Sequence, residues 1–103
     1  MLSLTRVVYV ETAKEYAVYI KTDDSTKTIT VTPYVSPYDG ANLHENDDSY
    51  WFPVSNAIVY NFDNKGSRVI IDGRSLPKAK YLKLYIESNI ENEDIPPVEI
   101  IIV

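Results

Sequence analysis

Tyr81-Leu82-Lys83-Leu84-Tyr85-Ile86-Glu87 alternates between two kinds of side chain, and this alternation decides the fold class. Leu82, Leu84 and Ile86 fall on one face of an extended chain, while Tyr81, Lys83, Tyr85 and Glu87 fall on the other. That is the period of a strand with one buried face. The same pattern recurs from Thr28 to Val35, where Ile29, Val31, Pro33 and Val35 oppose Thr28, Thr30, Thr32 and Tyr34. Proline cannot donate to a ladder, so the Pro33 end of that strand is expected at an edge or a bulge.

Outward from these two strands the chain continues in short extended segments. Leu4 to Val10 reads as a first strand. Tyr16, Val18 and Ile20 alternate with Ala17, Tyr19 and Lys21, and the turn signal Asp23-Asp24-Ser25 suggests a hairpin with the strand from Thr28. Tyr50-Trp51-Phe52, closed by Pro53, starts another strand. Ala57 to Phe62 and Arg68 to Asp72, joined by Asp63-Asn64-Lys65-Gly66, read as a second hairpin. After Gly73 the chain crosses over through Arg74 to Lys78. Val98 to Val103 is apolar enough to suggest a final strand covered on both sides. About eight short strands separated by turn signals, with no helix and no internal repeat, predict a single all-β domain. A two-sheet antiparallel sandwich or jelly roll is the leading architecture, with an immunoglobulin-like topology or a small barrel as alternatives.

Composition agrees with a globular domain. The chain has 103 residues, 45% hydrophobic and 24% charged, enough to fold as one domain without staples. Nine tyrosines against two phenylalanines and one tryptophan suit strand faces whose rings are covered while the hydroxyls stay wet. A formal charge of −5 repels phosphate backbones, which argues against nucleic acid. The absence of cysteine removes disulfides, a thiolate nucleophile and cysteine-bound zinc, and fits an intracellular protein or a virion component equally well. The sequence offers neither the apolar core of a signal peptide nor a membrane-spanning run, so the expectation is a soluble protein with no membrane partner.

The long irregular segment Ser36–Ser49 holds most of the candidate chemistry. Ser36 and His44 are ingredients of a hydrolytic triad, but nothing marks an activated serine or a buried orienting acid. Asp39, Glu45, Asp47 and Asp48 supply oxygen ligands of the kind calcium takes, though their spacing matches no EF-hand loop. Paired carboxylates for glycoside hydrolysis would need two cleft walls that a chain of this length has little room to build. Tyr34, Tyr38, Tyr50 and Trp51, with Phe52, flank the loop and suit either a sugar platform or a protein interface. Trp51 equally suits the core of the sandwich. No cofactor is implied.

Three stretches taken in order carry a resemblance: Thr28 to Gly40 with its Asp39-Gly40 turn, Tyr50-Trp51-Phe52-Pro53-Val54, and Ala79 to Ile86. Together they resemble the small β-sandwich structural proteins of tailed phages, an outline that discoidin-like sandwiches share. The resemblance spans most of the chain, and Ala41 to Ser49 departs from it as an insertion. It implies a non-enzymatic capsid-decorating, head or tail subunit, found in the virion or in the cytoplasm of an infected cell. Its partner would be a second copy of itself or a capsid or tail protein. The alternative is a carbohydrate-binding module that stacks a glycan on the exposed aromatics.

Overall fold

The structure, a computed structural model, describes residues 2–11, 15–22, 29–54, 60–61, 68–88 and 92–103. Its strands are β1 (Ser3–Tyr9), β2 (Ala17–Thr22), β3 (Ile29–Ser36), β4 (Phe52–Pro53), β5 (Tyr60–Asn61), β6 (Arg68–Asp72), β7 (Tyr81–Ser88) and β8 (Val98–Ile102). Two antiparallel sheets result. One has the order β1-β7-β3-β4, with β5 also on β3, and the other has the order β6-β2-β8. Among the described residues the only helical elements are two single 3₁₀ turns, Ala41–Leu43 and Gly73–Ser75. The protein is all-β, a two-sheet sandwich.

The alternation read from the sequence becomes the core. In the first sheet Val31 stands opposite Ile86, Pro33 opposite Leu84 and Val35 opposite Leu82, so the apolar residues of β3 and β7 share one face. In the second sheet Val18 opposes Ile71 and Ile102. These two faces meet in one buried cluster containing Val18, Ile20, Ile29, Val31, Val35, Ile71, Leu82, Leu84 and Ile86. Burying the apolar surface of both sheets at once is what holds them together, at about 25 cal/mol per Å² removed from water.

Both predicted hairpins are corrected. β2 pairs with β6 and β8, whereas β3 pairs with β7, β4 and β5, so the chain changes sheets between them. Likewise β5 lies on β3 while β6 lies on β2. The turn residues Asp23-Asp24-Ser25 and Asp63-Asn64-Lys65-Gly66 lie outside the described residues. The physical reason is that alternation tells a strand which face to bury without naming its neighbour. Two such strands satisfy that demand equally well side by side or across the core. The predicted crossover after Gly73 is present, carrying the chain from β6 to β7. Gly73 has no room for a side chain: an added Cβ would sit 2.7 Å from the Tyr16 ring and from the Tyr16 carbonyl oxygen.

Pro33 occupies an interior strand, where the sequence suggests an edge or a bulge. β7 flanks β3 along its whole length, but on the other side β5 pairs at Thr30 and Val31 and β4 at Tyr34 and Val35. Among the described residues, Thr32 and Pro33 fall in the gap between those two short strands, where a missing N–H costs no ladder bond. The expectation that β8 is covered on both sides is also corrected. Val98, Ile100 and Ile102 face inward and are half-buried, while Ile101 is exposed on the outer face.

Leu84 is fully buried at the centre of the cluster, and Ile70 is exposed. Leu84→Ala is expected to lower the unfolding free energy by about 2–5 kcal/mol. Ile70→Ala should move it by no more than about 0.5 kcal/mol. Urea unfolding midpoints of the two variants check both.

Candidate functional site

The loop between β3 and β4 folds back over the outer face of the first sheet, and one lysine organises it. Lys83 sits on the outward side of β7, between the register partners Val7 of β1 and Tyr34 of β3. Its Nζ lies 4.7 Å from the centre of the Tyr34 ring and 4.8 Å from that of Trp51. It donates a 2.9 Å hydrogen bond to the carbonyl oxygen of Glu45. With only 8% of its surface exposed, the ammonium has exchanged water for two ring faces and a carbonyl. Burial pulls its pKa below 10.5, against the opposing pull of the Asp48 and Glu45 charges.

Around this cation the loop is a succession of tight turns. Gly40 adopts φ 77°, which a glycine reaches without the steric penalty of a side chain. The Leu43 N–H then donates to Gly40, His44 to Ala41, Asp47 to His44 and Tyr50 to Asp47. Asp47 Oδ1 accepts both the Ser49 hydroxyl and the Ser49 N–H, at 2.7 and 3.0 Å, and these bonds hold its carboxyl below the usual range. Ala41 is fully buried, and Trp51 is 5% exposed with its indole Nε1 donating 3.0 Å to the His44 carbonyl. The loop thus rests on the sheet through its buried residues Ala41 and Trp51.

This placement sorts the sequence candidates. Of the two readings of Trp51, platform or buried anchor, the structure gives the anchor beneath the loop, and Tyr34 is half-buried under the Lys83 ammonium. Tyr38 is exposed, and Tyr50 is half-buried with the His44 ring stacked on it at 4.3 Å. Tyr38 contacts Tyr50 edge-on at 6.0 Å and Phe52 at 6.1 Å. The calcium set does not assemble. Asp39 Oδ1 accepts from Lys80 Nζ at 2.8 Å and Asp47 is committed to Ser49. Among the described residues no three acidic or histidine side chains are grouped to hold a metal. Ser36 is buried, with its Oγ accepting the Tyr38 N–H at 3.2 Å, so it offers no free nucleophile.

A second surface lies across the molecule, on the outer face of β6-β2-β8. Ile70, Tyr19 and Ile101 stand opposite one another in register and form one apolar row across the sheet. They are 61%, 42% and 39% exposed. The next row places Ala17 beside Asp72, and Ala17 exchanges backbone bonds with Val103. A cleft of about 420 Å³ opens there between Tyr16, Tyr19, Ile70 and Val103. Below the apolar row Lys21 pairs with Glu99 at 3.2 Å. No family model, curated protein or solved structure matches the chain. Among the described residues no helix is long and apolar enough to cross a membrane.

Neither the lysine box nor the apolar row was singled out from the sequence. The signal for the row was present, since Arg68-Val69-Ile70-Ile71-Asp72 and Val98–Val103 lack the alternation of a strand with one wet face. Lys83 carried no signal, because it occupies a polar position of β7 and is buried only by a distant loop.

Lys83 also sets a pH dependence. Its folded-state pKa is depressed, so as pH rises the folded protein loses this proton before the unfolded chain does. The stability of the wild type relative to Lys83→Met is therefore expected to increase as pH rises through the depressed folded pKa toward 10.5, the value the unfolded chain takes. Paired denaturation curves across that range test this, and a pH-independent difference would count against the buried cation.

Proposed function

We propose that the protein is a non-enzymatic assembly subunit that acts through protein–protein contacts, the role implied by the resemblance to head, tail and capsid-decorating proteins of tailed phages. In this reading it works in the virion, or before assembly in the cytoplasm of an infected cell, and its partner is a second copy or a capsid or tail protein. The observation that carries the reading is the in-register row of Ile70, Tyr19 and Ile101 on an open sheet face. Isolated exposed apolar residues need no explanation, whereas three in register across neighbouring strands form a contiguous patch that another surface can cover. Its size matters too. Three strands of about five residues present roughly 250 Å² in plan, well below the 800 Å² or so that each partner contributes to a stable interface. One such contact is weak, which suits a subunit that is held by several contacts at once.

Light scattering over a range of protein concentration tests this. The mean mass is expected to rise with concentration, and Ile70→Lys, which places a charge in the apolar row, should lower it at every concentration. A wild-type mass that stays at one chain throughout would sink self-association and leave a capsid or tail protein as the partner to test.

The exposed rings of Tyr38 and Phe52 favour a second reading, glycan binding at the loop. A cleft of about 380 Å³ lies there between Tyr38, Asp39, Ser49 and Tyr50, so it offers ring faces together with polar groups. If this surface binds sugar, an immobilised glycan panel will retain the wild type, and Tyr38→Ala should lose at least about tenfold in affinity, the effect of removing one stacking contact. No retained glycan leaves assembly as the sole reading.

A further inference from the structure

Among the described residues, each exposed strand edge except one carries a feature that discourages pairing. On β1, Arg6 stands opposite Leu84 and so shares the inward side of the sheet at its edge, which places a charge where a new strand would bring apolar side chains. The opposite edge of that sheet is broken into β4 and β5 and carries Pro53. β6 ends with Asp72 and leads directly into Gly73. β8 is different. Pro96 and Pro97 precede it, but within Val98–Ile102 there is no proline, glycine or lysine, and its single charge is Glu99.

The direction of the free backbone groups follows from two hydrogen bonds. The Ala17 N–H donates to the Val103 carbonyl at 2.8 Å, and the Val103 N–H donates to the Ala17 carbonyl at 3.1 Å. Val103 therefore points its polar backbone toward β2. Because successive residues of an antiparallel strand alternate, Ile101 and Glu99 do the same, while Val98, Ile100 and Ile102 direct their N–H and C=O groups away from the sheet. Among the described residues no strand pairs with that side. The side chains of the same three residues face the core but are only half-buried, unlike Val18 and Ile20 on the neighbouring strand.

We infer that β8 pairs antiparallel with β8 of a second copy about a two-fold axis at Ile100, joining the two β6-β2-β8 sheets into one. The inference rests on the assembly reading above and specifies one of its contacts. The strand is self-complementary in this register: Ile100 exchanges both backbone bonds with Ile100 of the second copy, and Val98 does so with Ile102 in each direction. Sliding the copies by two residues forfeits one of these exchanges, and sliding by one opposes free groups to groups already used. The core-facing Val98, Ile100 and Ile102 then continue across the junction and become covered. On the outer face Glu99 lies directly opposite Ile101 of the second copy.

Cysteine cross-linking reads this register directly, because the chain contains no cysteine of its own. Glu99 and Ile101 of two copies would form a non-hydrogen-bonded pair with Cα atoms about 4.5 Å apart, inside the range a disulfide spans, whereas two Glu99 or two Ile101 positions would be about 8 Å apart and outside it. A mixture of the single variants Glu99→Cys and Ile101→Cys, oxidised gently, is expected to form the mixed dimer at least about tenfold faster than either variant alone forms its own. Wild-type light scattering is run alongside. Self-association without that preference overturns β8 pairing and leaves the assembly role standing. A wild-type protein that stays monomeric and gives no preferred cross-link overturns both β8 pairing and the self-association form of the assembly reading.

Discussion

The packing of Leu82, Leu84 and Ile86 of β7 with Val31 and Val35 of β3 against Val18 and Ile20 of β2 is the constraint on which the remaining architecture depends. β7 is the central strand of the first sheet, bonded to β1 on one side and β3 on the other, and β2 is the central strand of the second. With the inward faces of these strands committed to each other, each flanking strand inherits its inward face by register. Lys83 and Tyr34 are sent outward by the same alternation that sends their neighbours inward.

That outward placement has a consequence for the long loop. A lysine and a tyrosine on an open sheet face would ordinarily be solvated, and the loop would have nothing to settle on. Here Trp51 and Tyr34 receive the ammonium between their rings, Glu45 supplies a carbonyl, and the acidic loop carries the charges that favour a cation beneath it. The carboxylates that suggested a calcium site are better understood in this way: Asp47 closes a turn with Ser49, Asp39 pairs with Lys80, and Glu45 and Asp48 lie close enough to Lys83 to raise its affinity for a proton.

The two outer faces of the sandwich therefore differ in kind. The loop lid covers one, with Tyr38 and Phe52 at its margin. Among the described residues no loop covers the other, and its middle row is apolar on all three strands. An apolar row on an open face, beside an edge strand whose single charge is Glu99, is costly for an isolated subunit, since both invite association. A protein whose work is to join copies or partners has a use for both features, and their position on the same small sheet places two contacts around a single strand, β8.

By itself the sequence determined the all-β class, the inward residues of β2, β3 and β7, and the presence of a long functional-looking loop, because a period of two in apolar side chains is a local property of the chain. Only the tertiary structure decided which strands are neighbours, and it replaced both expected hairpins with crossovers between sheets. It also decided that Trp51 lies inside, that Lys83 is buried, and that Ile70, Tyr19 and Ile101 align. Those facts depend on residues distant in the chain, such as Trp51 and Lys83 or Ile70 and Ile101, meeting across strands. Side-chain alternation says which way a residue faces and nothing about what it will face.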